Sequence, residues 1–268
     1  MHAQVAPAIG LRARLDGPVI RLPARKTPLL EALIYRILVR PALRRTFQRI
    51  ALNPDAPRPR PDLPTLIYAN HPSWWDGYMT FVLADEIWQC EGYIMMEEPQ
   101  LARYGFFRWC GAFGVDRHDP RHGLRSIAYA AKLLTERTQR VVWIFPQGEI
   151  TPNDKRPLRT FAGAAHIVKR VTQGGETAVR CIPMALRFEF GAEQRPEALL
   201  RLGPAHLVAG KVEPKALHRE MDQRLQAEMD ALYADTISGA TARYRTIFRG
   251  RQSVNVVWDE VRSLVRSR

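Results

Sequence analysis

The residues best suited to chemistry lie in one short stretch, Asn70-His71-Pro72-Ser73-Trp74-Trp75-Asp76-Gly77, directly after the apolar run Leu66 to Ala69. A histidine five positions ahead of an aspartate, with a proline-containing turn between them, can bring a carboxylate to the imidazole. The carboxylate then holds Nδ1–H and leaves Nε2 free to accept a proton, which is the arrangement of a general-base dyad. Of the seven histidines only His71 has an aspartate at this spacing. Taken alone the spacing is weakly specific and fits a structural loop histidine better.

Three further blocks follow in order. Gly111-Ala112-Phe113-Gly114-Val115-Asp116-Arg117 reads as a glycine-rich loop carrying an arginine. Phe145-Pro146-Gln147-Gly148-Glu149 follows a buried strand with a tight turn, and Ile182-Pro183-Met184-Ala185-Leu186 ends the series. Most surface arginines in such a loop are simply solvated. Backbone N–H groups after the Phe145–Gly148 turn suit an oxyanion, and a pure turn role fits equally well.

In this order and at these separations the four blocks resemble the lysophospholipid and glycerol-phosphate acyltransferase family, marked by NHxxxxD, a glycine-arginine block, FPEGT/S and an apolar V-P block. The resemblance spans roughly residues 30 to 210. It implies transfer of a fatty acyl group from a thioester, on coenzyme A or acyl carrier protein, to a hydroxyl of a lipid acceptor. His71 would be the base, Asp76 its orienting carboxylate, and Asn70, Arg117, Phe145, Pro146, Gln147, Gly148 and Glu149 the substrate side. No cofactor is implied beyond the thioester co-substrate. A thioester is already activated, so one positioned base and oxyanion donors suffice, with no acyl-enzyme.

Two departures from the family pattern bear on the acceptor. The third block has Gln147 where the family usually has glutamate, and Glu149-Ile150-Thr151-Pro152 where an arginine usually follows. Phe161 stands where a basic residue often precedes the next glycine; Lys155, Arg156 and Arg159 lie nearby as substitutes. Losing cations weakens phosphate recognition, since each charge-assisted contact contributes about 1.5–3 kcal/mol. A neutral glycolipid or glycosylated isoprenoid or carotenoid is therefore an alternative acceptor, and Gln147 suits hydroxyl hydrogen bonding. A noncatalytic lipid- or carrier-binding protein is a rival reading, opposed by the intact His71/Asp76 pair. A hydrolase is a third, but no GxSxG elbow exists.

The elements that must position these blocks follow from apolar patterning. Leu66 to Ala69, Tyr93 to Met96, Val141 to Phe145 and Ile182 to Leu186 have strand length. Helical stretches alternate with them at Tyr78 to Trp88, Leu101 to Trp109, Leu124 to Arg137 and Ala162 to Val171. The alternation predicts an α/β fold, a mostly parallel central sheet flanked by helices, with ligands at the strands' carboxyl ends. Lys215 to Asp235 reads as a further helix, and Val256, Val257, Trp258, Val261, Leu264 and Val265 suggest a helical tail. Trp74, Trp75, Phe106, Phe107 and Trp109 can line an acyl channel or sit at a membrane interface, though any one of them is by default core.

With 268 residues, 46% hydrophobic and 25% charged, the chain has the composition of a folded globular protein. Of its net charge of +13, nine units come from residues 1 to 60, where twelve basic residues, Arg12 and Arg14 among them, face three acidic ones. Within this segment Thr27-Pro28 reads as a helix start, with Leu30, Leu33, Ile34, Ile37 and Leu38 at helical spacing. Pro41 should break the helix, and Leu43, Phe47 and Ile50 then continue a stripe beside Arg44, Arg45 and Arg49. The expectation is an N-terminal amphipathic helical hairpin that lies on an anionic membrane surface, where each basic side chain contributes roughly 1 kcal/mol. Packing against its own domain fits the pattern as well. No nucleic-acid-binding pattern accompanies the charge.

Asn53 to Pro64, with five prolines, reads as a connector. It divides a membrane-associating segment (1–60) from an acyltransferase domain (61–240), with the tail at 241–268. Arginines interrupt every stretch that approaches the roughly 18 apolar residues of a spanning helix. The N-terminus lacks a long apolar signal region. Cys90, Cys110 and Cys181 show neither disulfide nor zinc spacing, and His118, His122, His166, His206 and His218 lack ligand partners. The expected location is cytoplasmic, peripheral on the inner face of the cell membrane.

Overall fold

Apolar runs without polar alternation must be covered on both faces, and the central strands obey this. The computed structural model describes residues 20–175 and 177–255, with Trp258 and Arg262. Its strands are β1 (Arg49–Leu52), β2 (Thr65–Ala69), β3 (Glu91–Glu97), β4 (Ala112–Val115), β5 (Arg140–Ile144), β6 (Val179–Glu189), β7 (Glu197–Leu202), β8 (His206–Val208) and β9 (Arg245–Arg249). They form one sheet in the order β4-β3-β5-β2-β6-β7-β1-β9, with β8 paired to the start of β6. β4, β3, β5, β2 and β6 run parallel; β7 is antiparallel to β6, and β9 to β1. β2 is buried along its whole length.

Helices cover both faces. On one lie α5 (Pro120–Glu136), α6 (Gly163–Thr172) and α7 (Pro214–Ile237), packing Leu134, Val168 and Leu225 against Leu66, Tyr68 and Val142. On the other lie α1 (Pro28–Ile34), α2 (Arg40–Thr46) and α3 (Asp76–Phe81), the last extended by a π-helical stretch over Val82–Trp88. Their Val39, Leu43, Met79 and Leu83 meet Ile67, Trp143 and Ile182. α4 (Glu98–Arg103) and a 3₁₀ turn (Gly105–Cys110) follow β3. The fold is the expected mostly parallel α/β sheet flanked by helices.

The N-terminal hairpin is not formed. α1, a wide π turn over Tyr35–Val39 and α2 run on as one helix, because the turn ahead of Pro41 loosens: the Arg40 N–H reaches back five residues to the Tyr35 carbonyl. That widening removes the clash between the proline ring and the preceding turn. It also rotates the buried stripe. Tyr35, Val39, Leu43 and Phe47 enter the core, whereas Leu29, Leu33, Ile37 and Leu38 are exposed.

The boundaries expected at residues 60 and 240 do not divide the structure, since β1 and β9 belong to the same sheet as β2 to β7. The segment after 240 begins as a 3₁₀ turn and then β9, and the described residues beyond, Val254, Asn255, Trp258 and Arg262, are helical as expected of the tail. Arg12 and Arg14, and Val256, Val257, Val261, Leu264 and Val265 of the tail, lie outside the described residues. At the β4 edge the Gly114 N–H bonds the Leu22 carbonyl, so the chain before α1 lies along that rim. At the other rim Arg245 and Arg249 of β9 are exposed.

The helix at 28–46 is thus part of the folded unit. Leu43→Ala should cost about 2–5 kcal/mol in urea denaturation, and exposed Ile37→Ala less than about 0.5 kcal/mol. Equal, silent effects would show a detached segment.

Candidate active site

All the chemistry-bearing blocks sit at the carboxyl ends of parallel strands. β2 ends at Ala69 and delivers Asn70 and His71; β5 ends at Ile144 and delivers Phe145 to Glu149; β3 ends in Glu97; and Arg117 stands two residues past β4. Ala112–Val115 is therefore an edge strand and not the expected glycine-rich loop. Gly111, at φ +96°, opens it where a Cβ would collide with the Gly92 carbonyl.

His71 Nδ1 lies 2.6 Å from Asp76 Oδ2, and the same oxygen accepts the Ser73 N–H at 3.0 Å. Asp76 is fully buried at the start of α3. Burial pushes its carboxyl up to about 6, against the lowering effect of the His71 hydrogen bond. The His71 ring stacks on Phe145, centroids 4.7 Å apart, and borders a cavity of about 350 Å³. The structure brings together the two residues expected to form the dyad.

The backbone of His71 is held on both sides. Its N–H donates to Gln147 Oε1 at 2.6 Å, and its carbonyl accepts the Thr151 N–H at 2.8 Å. Gln147 is buried and clamps the base instead of meeting a substrate hydroxyl. An amide oxygen fills this place as well as a carboxylate, which explains why glutamine is accommodated here. Asn70 is likewise spent inside the fold. Its amide donates to Asn153 Oδ1 and the Leu186 carbonyl, and its oxygen accepts the Leu186 N–H, tying β2 to β6. Neither Asn70 nor Gln147 lines the cavity. Both correct the expectation of a substrate contact, for the same reason: their polar atoms already have internal partners.

Phe145, Gly148, Glu149 and Arg117 do line the cavity. The Gly148 N–H closes the turn onto the Phe145 carbonyl, and Pro146 accepts the Phe161 N–H, so the turn is fixed from both sides. Gly148 has φ +71°, and a Cβ there would lie 3.0 Å from both Arg117 Cδ and Phe161 Cε2. Glycine is required twice over. Arg117 donates through Nε and Nη2 to Glu97 Oε1, at 3.0 and 2.8 Å. Lys155, Arg156 and Arg159 do not line the cavity, and Arg156 pairs with Asp230.

The cavity's other walls are apolar: Trp74, Tyr78, Phe81, Ile94 and Phe107. Of the aromatics singled out in the sequence, Trp74 and Phe107 are here, Trp75 and Phe106 pack in the core, and Trp109 is partly exposed. Among the described residues no group of three or more His, Cys, Asp or Glu could hold a metal.

A model of the acyltransferase family matches residues 52–187, which include the dyad, Arg117 and the Phe145–Glu149 turn. The chain belongs to the acyltransferase family. This acyltransferase is also similar in fold to the crystal structure of the 1-acyl-sn-glycerophosphate acyltransferase PlsC from Thermotoga maritima. The likeness has a TM-score of 0.50 and 14% identity, covering 76% of this chain and 78% of that one. No curated protein matches the acyltransferase at a significant level. Sequence reasoning missed Glu97, Thr151 and Asn153. The Glu97-Glu98-Pro99 run at a strand end was the available signal for the first; the other two act through a backbone amide and a long-range contact that leave no spacing pattern.

A carboxyl raised to about 6 is ionised above that pH and protonated below it. kcat/KM should therefore fall as pH drops through about 6, and the position of this limb should move in the residual activity of Asp76→Asn. Gln147→Glu, which keeps an acceptor oxygen, should retain most activity. Gln147→Leu leaves a buried N–H unpaired and should lower kcat/KM by about tenfold.

Proposed function

We propose that this acyltransferase moves a fatty acyl group from a thioester, on coenzyme A or acyl carrier protein, to a hydroxyl of a lysophospholipid or glycerol-phosphate-type acceptor. The observation that carries the reading is the 2.6 Å His71–Asp76 contact at the rim of a mostly apolar cavity. The acceptor hydroxyl gives its proton to His71 Nε2 as its oxygen attacks the thioester carbonyl. The ester C–O bond forms, the C–S bond breaks, and the imidazolium returns the proton to the departing thiolate. Asp76 holds Nδ1–H throughout and stabilises the imidazolium. The aromatic walls suit the acyl chain, and the backbone after Gly148 suits the developing oxyanion. The PlsC-like fold and Arg117 in the cavity support a phosphate-bearing acceptor.

The Arg117–Glu97 pair favours a second acceptor class. Glu97 and Glu149 set two carboxylates against one guanidinium in the cavity lining, and that guanidinium is already engaged. Such a balance suits a neutral hydroxylated lipid, for example a glycolipid or glycosylated isoprenoid, better than a phosphate dianion.

The enzyme is further proposed to work peripherally at an anionic membrane surface, on the inner face of the cell membrane. Among the described residues no helix is long and apolar enough to cross a membrane. The support for surface contact is the row Leu29, Leu33 and Ile37, exposed on the first helix beside arginines.

Incubation with a radiolabelled acyl thioester and a panel of phosphate-bearing and neutral lipid acceptors tests the reaction. His71→Ala should lose activity by about 10²-fold or more; equal labelling by both proteins would overturn the assignment. In the same panel Glu97→Gln should lower KM for the phosphate-bearing acceptors if these are the substrates, because Arg117 is released. Unchanged KM with preference for neutral acceptors identifies the second class.

A further inference from the structure

Away from the catalytic cavity, the first helix and the chain after β9 enclose a cleft of about 240 Å³ lined by Arg36, Arg40, Pro41, Arg44, Arg45 and Arg251. It shares no lining residue with the cavity that contains His71. Arg36, Arg40 and Arg44 recur every four residues and so follow one side of the helix. Arg251 is brought up from the other side by its own backbone, whose N–H donates to the Arg44 carbonyl at 2.8 Å. The cleft is thus built from parts of the chain some two hundred residues apart.

Five guanidinium groups around so small a space repel one another, and the protein supplies little to offset this. Arg40 lies 3.4 Å from Glu86, a carboxylate that also accepts the Tyr35 hydroxyl at 2.5 Å. Arg36, Arg44, Arg45 and Arg251 form no ion pair among the described residues. The half-buried arginines elsewhere are paired, Arg49 with Glu197, Arg117 with Glu97, Arg187 with Asp154 and Arg201 with Glu228; those of the cleft stand exposed and converge on one space. Convergent, unpaired guanidinium groups match the oxygens of a phosphate, which they bind through forked hydrogen bonds.

What carries that phosphate is indicated by the neighbouring strip. Leu29, Leu33 and Ile37 also recur every four residues, exposed at 78%, 50% and 67%, and the strip continues into Pro41 at the cleft. A ligand with an anionic head and a hydrocarbon body fits both halves. A soluble phosphate leaves the apolar half in water.

We propose that the Arg36/Arg44/Arg45/Arg251 cleft binds the phosphate head group of one anionic phospholipid molecule, separately from the acyl-transfer cavity. The proposal rests on the reading that the enzyme works at an anionic bilayer. It goes beyond general charge attraction by naming a discrete site.

The test uses the full chain and vesicles of phosphatidylcholine alone or with one fifth phosphatidic acid, at 0.15 M salt. Arg44→Gln/Arg45→Gln is compared with wild type, with Leu33→Ser/Ile37→Ser, and with Lys169→Gln/Arg170→Gln, which removes equal charge from exposed positions on α6. The cleft variant should lose about tenfold or more in affinity for the acidic vesicles, while the α6 variant stays near wild type and activity on detergent-dispersed substrate is unchanged. Native mass spectrometry should show one more phosphatidic acid on the wild-type chain than on the cleft variant. Equal losses in the cleft and α6 variants would reduce the effect to net charge and overturn the site. Inorganic phosphate displacing the lipid at millimolar concentration would overturn the lipid occupant. If the leucine/isoleucine variant loses binding and the cleft variant does not, membrane docking stands and the site falls. If neither loses binding, the docking reading falls with it.

Discussion

One buried carboxylate organises the site. Asp76 has no solvent contact, and its Oδ2 takes both the His71 ring and the Ser73 amide, while Oδ1 has no hydrogen-bond partner among the described residues. An anion in that position is costly unless its partners are fixed in place. Nearly everything around it serves that end. The histidine cannot swing, because Gln147 and Thr151 hold its backbone and Phe145 lies against its ring. The strand that delivers it cannot shift, because Asn70 is bonded across to Leu186 on β6 and to Asn153 in the loop after β5. Residues that a motif places beside the base act on it through the main chain.

The same loop links the two halves of the cavity. Gly148 leaves room for the Arg117 side chain to lie over the Phe145–Gly148 turn, so Arg117 and His71 are positioned by one short segment. Arg117 in turn is oriented by Glu97 from the end of the neighbouring strand. Aromatic walls and a compact ionic group therefore meet at the His71 ring.

The central strands were legible in the sequence because burial on both faces leaves uninterrupted apolar runs, as in Leu66 to Ala69 and Val141 to Ile144. β1, β7 and β9 were not, since Arg49, Glu197, Arg201, Arg245 and Arg249 interrupt them and their pairing is with distant segments. β4 was hidden by Gly114 within it and Gly111 just ahead of it. The first helix was legible as a helix but not in its facing: one widened turn ahead of Pro41 exchanges which side chains are buried, and regular periodicity cannot report that. Of the site, spacing disclosed the dyad and the turn. The structural work of Asn70 and Gln147 was invisible, because it depends on partners 116 and 76 residues away.

The two rims of the sheet carry a consequence for crowding. Crowded copies of a sheet protein can join end on end through bare strand edges. Here one rim is already occupied by the chain around Leu22, and the other presents Arg245 and Arg249. Mutual repulsion at that margin disfavours edge-to-edge pairing with another copy of the chain.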